Sequence, residues 1–208
     1  ANLQFHGVNH WSQTPEGKAK ISKIHSGKEV NRKYKLNDKF FKIIDSEEKA
    51  YWLGFIYADG CMSNNRLQID LSCKDKEHLT SFAKSLETNI PIREIMRKTK
   101  DKNHLKAFFR IVSKKLTDDL RNLGVYERKS FIITFPEIEK VPTILQHHFI
   151  RGYVDGDGCF MVKQRKNRPS LSHSFKVIGA TKFIEKIQNI FENCKTTKVK
   201  LDLYVPNP

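Results

Sequence analysis

Two aspartates, Asp59 and Asp157, sit in near-copies of one phrase that occurs twice, almost half the chain apart. The first copy is Gly54-Phe55-Ile56-Tyr57-Ala58-Asp59-Gly60-Cys61, and the second is Gly152-Tyr153-Val154-Asp155-Gly156-Asp157-Gly158-Cys159. Two carboxylates brought together repel unless cations lie between them, and hard carboxylate ligands with water favour Mg²⁺. Ions held in that way clamp the attacking and leaving oxygens of a phosphodiester. The 208-residue chain also carries 38 Lys+Arg against 23 Asp+Glu, a net charge of +15. A polyanion is therefore the expected partner, and paired acids in so basic a chain point to metal-dependent chemistry on nucleic acid.

Helices must deliver these acids. Gly54 and Ala58 lie four residues apart, as do Gly152 and Gly156, so each copy forms a helix with a side-chain-poor stripe. Two such helices can pack with their backbones very close, which brings Asp59 and Asp157 together at two negative helix ends. Ser46 is the expected N-cap of the first helix, with Glu47 and Glu48 in its first turn and Gly60 as its stop. The second helix runs from Val141-Pro142 through Leu145, Phe149, Ile150 and Val154 to Gly158. A repeat of this kind says that the fold is built from two similar units.

Between the copies, Leu67 to Cys73 alternates as a half-buried strand and Asp75 to Leu86 returns to helical spacing. The stretch Arg93 to Lys115 holds nine Lys/Arg against two acids and contains the strand Ala107 to Val112. A helix over Lys114 to Leu123 closes at Gly124, giving the order helix, strand, strand, helix, strand, strand, helix. After the second copy, a hairpin starts at Phe160-Met161-Val162 and returns over Phe175 to Ile178. Its tip, Lys163 to Ser172, carries Lys163, Arg165, Lys166 and Arg168 and no acid. A helix over Thr181 to Phe191 and a strand over Lys198 to Val205 follow, so the second unit is the shorter.

Residues 1–45 read as an appendage. Thr14 and Pro15 start a lysine-rich helix, Thr14 as N-cap and Pro15 in the first position. With Ile21 and Ile24 as its only strongly apolar residues, it is either a solvated linker or an element that orders on DNA. No apolar run approaches the ~20 residues of a membrane-spanning helix, and the N-terminus does not read as a signal peptide. Cys61, Cys73, Cys159 and Cys194 lack zinc-ligand spacing. Cys61 and Cys159, at equivalent places after the two motifs, are expected to be small core residues. Reduced thiols and an intracellular setting (cytoplasm or organelle) follow.

The two phrases, extended to Trp52-Leu53-Gly54-Phe55-Ile56-Tyr57-Ala58-Asp59-Gly60 and Ile150-Arg151-Gly152-Tyr153-Val154-Asp155-Gly156-Asp157-Gly158, resemble the LAGLIDADG motif of the homing endonucleases. The resemblance runs from about residue 46 to the end. Both copies depart from the consensus at early apolar positions, Arg151 being the oddest. It implies an α/β (α+β) fold of two pseudo-symmetric αββαββα-type repeats, 46–140 and an incomplete 141–208, whose antiparallel sheets form a saddle over duplex DNA. It implies Asp59 and Asp157 as the metal-holding catalytic acids, Mg²⁺ as the cofactor, and Lys129 as the lysine that polarises the scissile phosphate. Gln68 and Asp75 are lesser candidates, and the second unit ends before its counterpart of Lys129.

Asp155 is read as a structural helix-end residue. A calcium loop starting there fails, because the glycine is out of place and no Glu follows at the needed spacing. The strand faces expected in the major groove include Arg66, Gln68 and Asp70, then Lys106, Phe108 and Arg110, and in the second unit Lys163, Arg165, Arg168, Ser174 and Lys176. The run Ser12-Gln13-Thr14-Pro15-Glu16-Gly17-Lys18 resembles a nuclease-associated modular DNA-binding motif, which favours a DNA-contacting extension. The expected protein is a monomeric, intron-homing, site-specific DNA endonuclease that cuts both strands and leaves short 3′ overhangs. Its alternative is a non-cleaving binder on the same scaffold, either an intron RNA maturase or a DNA-binding regulator. A single-metal His nuclease built on His6, Asn9 and His10 or on His147-His148 lacks the surrounding ligand pattern.

Overall fold

The computed structural model describes residues 11–25, 33–98, 103–129, 132–164 and 171–193. The chain divides into two compact units, Ala1–Lys33 and Tyr34–Pro208. In the first, a 3-10 turn at Trp11–Gln13 leads into helix α1, Pro15–His25. Thr14 caps this helix as expected, accepting a hydrogen bond from the Gly17 N–H (3.0 Å) while its hydroxyl donates to the Trp11 carbonyl (2.8 Å). The turn folds so tightly onto α1 that a Cβ at Gly17 would lie 1.9 Å from the Trp11 oxygen, so glycine is required there.

Residues 34–45, which the sequence assigns to the extension, lie in the larger unit, because Phe40, Phe41 and Ile44 are buried in its core. Helix α2 (Glu47–Asp59) follows; the Ser46 hydroxyl accepts from the Lys49 N–H at 3.3 Å. Its residues Trp52 to Tyr57 are all buried, and a helix apolar all round is a core helix. Then come β1 (Cys61–Ser63), β2 (Arg66–Ser72), α3 (Lys76–Ser85), β3 (Arg93–Lys98), β4 (Asn103–Val112) and α4 (Lys114–Asn122). That is the expected helix and strand order.

The four strands form one antiparallel sheet in the order β1-β2-β4-β3. Asn64, at φ 50°, makes the tight β1–β2 turn; asparagine is among the few residues that tolerate the left-handed region. Period-two alternation puts Leu67 and Ile69 of β2 and Ala107, Phe109 and Ile111 of β4 into the core. The opposite face carries Arg66, Gln68 and Asp70 across from Val112, Arg110 and Phe108. Helices α3 and α4 cover the core side with Leu79, Phe82, Leu116 and Leu120.

Helix α5 (Gln146–Asp157) leads into β5 (Gly158–Gln164), β6 (Leu171–Val177) and α6 (Thr181–Asn193). Strands β5 and β6 pair antiparallel, Gly158 opposite Val177. Phe183 and Ile187 of α6 are buried, Phe183 with its ring centroid 4.4 Å from that of Tyr153. The hairpin residues Arg165, Lys166 and Arg168, the strand expected over Lys198 to Val205, Cys194, and His6, Asn9 and His10 lie outside the described residues.

The expectation that Cys61 and Cys159 are core residues is corrected. Both are exposed. Cys61 opens β1 with its side chain on the sheet face away from the core: it pairs with Gln68, and the next residue, Met62, is the one that is buried. Among the described residues no helix is long and apolar enough to cross a membrane.

Candidate active site

Gly54 and Gly152 set the distance between α2 and α5. A Cβ on Gly54 would lie 1.9 Å from the Phe149 carbonyl oxygen, and a Cβ on Gly152 would lie 2.0 Å from the Tyr51 carbonyl oxygen. Phe149 stands three residues before Gly152 and Tyr51 three before Gly54, so the two contacts are reciprocal. One turn further on, a Cβ on Gly156 would come within 2.4 Å of the Ala58 Cβ and 3.0 Å of Asp59 Oδ2. The small-residue stripes read from sequence are thus the contact surface, and they bring the last residues of the two helices, Asp59 and Asp157, to adjoining ends.

Gly60 and Gly158 end the helices without entering the left-handed region (φ −71° and −95°). Glycine is needed because the chain turns back so closely: a Cβ would meet the Ile56 carbonyl oxygen at 2.6 Å and the Val154 carbonyl oxygen at 2.3 Å. Both turns pass directly into the strands β1 and β5. The acids therefore stand where helix gives way to sheet.

Burial pushes the Asp59 carboxyl above its ordinary value, and the nearby Asp157 charge pushes it further; Lys129 and Lys106 oppose the rise. Asp157 is likewise raised by burial, against Lys129 and the neighbouring Tyr153 hydroxyl. Lys129 is only 9% exposed, and its Nζ donates to the Ala58 carbonyl at 2.7 Å. A cation suits that place, the C-terminal end of a helix. Burial holds the Lys129 ammonium below its usual value, while Asp157 and Asp59 favour its charged form. The three sequence candidates thus form one electrostatic cluster.

A cavity of about 450 Å³ lies against this cluster, lined in part by Tyr57, Lys129, Tyr153, Asp157, Gly179 and Thr181. Asp59 is not part of that lining. Tyr153 escaped the sequence reading: its hydroxyl donates to the Ile178 carbonyl (2.8 Å) and lies beside Asp157, and burial pushes its pKa up. The available signal was a tyrosine in the second copy where the first has Phe55.

The other candidates lie elsewhere. Gln68 is bound into the polar sheet face by hydrogen bonds to Asp70 and Arg110. Asp75 stands at the start of α3, near His78, which burial holds below its ordinary value against the charges of Asp155 and Asp75. Asp155 accepts a 2.7 Å hydrogen bond from the Tyr51 hydroxyl, a helix-to-helix tie in keeping with a structural role. His148 Nε2 stands 3.4 Å from Glu47 Oε2, near the N-terminal ends of α5 and α2 and so away from Asp157.

Among the described residues no three His, Cys, Asp or Glu side chains cluster as a metal site. Two carboxylates at neighbouring helix ends are nonetheless a hard oxygen donor pair with raised proton affinity, and they fit a divalent cation that takes its remaining ligands from water or substrate. Compared with known proteins, the chain matches no family model and no curated protein.

Proposed function

We propose that the chain is a site-specific DNA endonuclease of the LAGLIDADG type, with two pseudo-symmetric repeats and saddle-like sheets, acting as a monomer on duplex DNA with Mg²⁺. The observation that carries this reading is the reciprocal Gly54–Gly152 packing that ends in Asp59 and Asp157. A helix pair needs no paired acids at its ends for stability, and raised carboxyl pKa values mark groups placed at a cost to the fold. The net charge of +15 supports a nucleic-acid partner.

Asp59 and Asp157 would hold the cation, which when bound supplies charge neutralisation and activation of water at the phosphodiester. Lys129 holds its ammonium by the Ala58 carbonyl next to both acids, where it can stabilise charge developing on a scissile phosphate. The Tyr153 hydroxyl, held by the Ile178 carbonyl, adjoins the Asp157 carboxylate. The turn glycines Gly60 and Gly158 end the two helices at the acids, so that Asp59 and Asp157 stand at the head of the sheets.

The test is incubation with a complex DNA library in Mg²⁺, with the new ends mapped by sequencing. Recurrent double-strand breaks with short 3′ overhangs are expected. Tight, salt-sensitive binding without breaks would replace this reading with that of a non-cleaving binder, a maturase or regulator.

A further inference from the structure

We propose that Gln68 and Asp70 are positioning residues that hold two arginines, Arg110 and Arg97, in place on the polar sheet face, and that Arg110 reads a guanine in duplex DNA. The proposal rests on the nucleic-acid reading above and names part of its recognition device. Gln68 Oε1 accepts from Arg110 Nη2 at 3.1 Å, and Gln68 Nε2 donates to Asp70 Oδ1 at 3.2 Å. Asp70 Oδ2 in turn accepts from Arg97 Nη2. The Arg110 guanidinium carbon stands 4.6 Å from the centre of the Phe108 ring. These contacts join β3, β2 and β4, and the strand register places Gln68 opposite Arg110 and Asp70 opposite Phe108.

The chemistry of each group fixes the direction of the chain. An ionised carboxylate only accepts, so Asp70 turns the Gln68 amide nitrogen towards itself and leaves the amide oxygen for Arg110. Stacked on Phe108 and bound to Gln68, the Arg110 fork is ordered before any ligand arrives. One of its five N–H donors serves Gln68, and two others suffice for guanine O6 and N7, the commonest arginine contact in the major groove.

Asp70 also needs explaining on this face, because it would repel phosphates. By alternation and register it shares the face with Arg66, Arg93, Arg97, Lys106 and Arg110. Holding Arg97 and setting the amide of Gln68 account for an acid among those cations. A face that bound only phosphates would be served better without it.

Binding-site selection from a randomised duplex library, without divalent metal, tests this directly on the full chain. The wild type should prefer guanine at one base pair that Arg110→Ala alone makes indifferent. Gln68→Ala should weaken that same preference about tenfold, and Gln68→Glu, which still accepts from Arg110, should retain it. Asp70→Asn should weaken it too, and should steepen the dependence of log K on log salt by about one as Arg97 moves to a phosphate. An unchanged preference in Gln68→Ala would overturn the proposal. So would a uniform loss of affinity in Arg110→Ala, which would make Arg110 a phosphate contact. Both would leave the nucleic-acid reading standing, whereas failure of the wild type to bind any duplex would overturn both.

Discussion

Tyr51 on α2 donates a 2.7 Å hydrogen bond to Asp155 on α5. The corresponding positions on the other side of the helix pair, Tyr57 and Phe149, meet instead as edge-to-face rings 4.9 Å apart. Counted from the contact glycines, Tyr51 matches Phe149 and Asp155 matches Tyr57. One side of the pair is thus closed by a hydrogen bond within reach of His78 and Arg151, and the other by aromatic packing with Phe183 and Phe135. The second copy departs from the first at Asp155 because its neighbour is a tyrosine that can donate.

Tyr51→Phe should therefore lower stability by about 1 kcal/mol, since water can still reach the Asp155 carboxylate. Tyr57→Phe should cost more, about 1–3 kcal/mol, because its buried hydroxyl donates to the Leu123 carbonyl at 2.5 Å and that acceptor would be stranded. Urea denaturation of the two variants checks the order.

Gly54→Ala and Gly152→Ala should each cost about 3 kcal/mol or more. The new methyl would press on backbone of the opposite helix, which cannot move aside as a side chain can. Gly156→Ala, which meets the Ala58 methyl and a carboxylate oxygen, should cost less but should displace Asp59. Thermal melts separate the first effect. Cleavage assays should show the second as lost activity in a stable protein.

Neutralising the acids should stabilise the metal-free protein. The Asp59 and Asp157 carboxyls are raised in the fold from an ordinary 3.8, so the native state holds their protons more tightly than the unfolded chain does. Stability from these groups is full below that value and is lost as pH rises through the folded values. Asp59→Asn and Asp157→Asn should remove that loss at neutral pH, raising Tm by about 2–4 °C for each kcal/mol gained. Adding Mg²⁺ should raise the wild-type Tm by mass action and leave the double Asn variant unmoved. Melts across pH, with and without Mg²⁺, read both signs.

Lys129→Met should leave DNA binding largely intact and, on the proposed function, lower cleavage on the order of 10²-fold, the effect of removing one positive group from beside a scissile phosphate. It should also raise the Asp59 and Asp157 pKa values further, because the Lys129 charge opposes the rise at both. Carboxyl titration by NMR gives that second readout.

The motif helices were legible because a small residue every four positions has few uses other than close packing, and because Ser46 and Thr14 are capping residues in the right places. Period locates α2, β2, α3, β4 and α4 of the first unit, but neither β1 nor β3. Burial of single residues was less legible. Cys61 and Met62 are neighbours in a three-residue strand, too short for alternation to say which one faces the core. Phe40 and Phe41 lie in a short polar-flanked segment with no periodicity, so their burial came only from tertiary packing. The inward placement of Lys129 could not be read from a lysine-rich sequence; it arises because the chain after α4 returns to the end of α2.

The most direct test compares the wild type with the Asp59→Asn, Asp157→Asn double variant on the DNA site the library yields, in Mg²⁺. The expectation is that the variant folds, binds that site at least as tightly, and cuts neither strand. Undiminished cleavage by the variant would contradict it, and the paired acids would then be a feature of the helix ends alone.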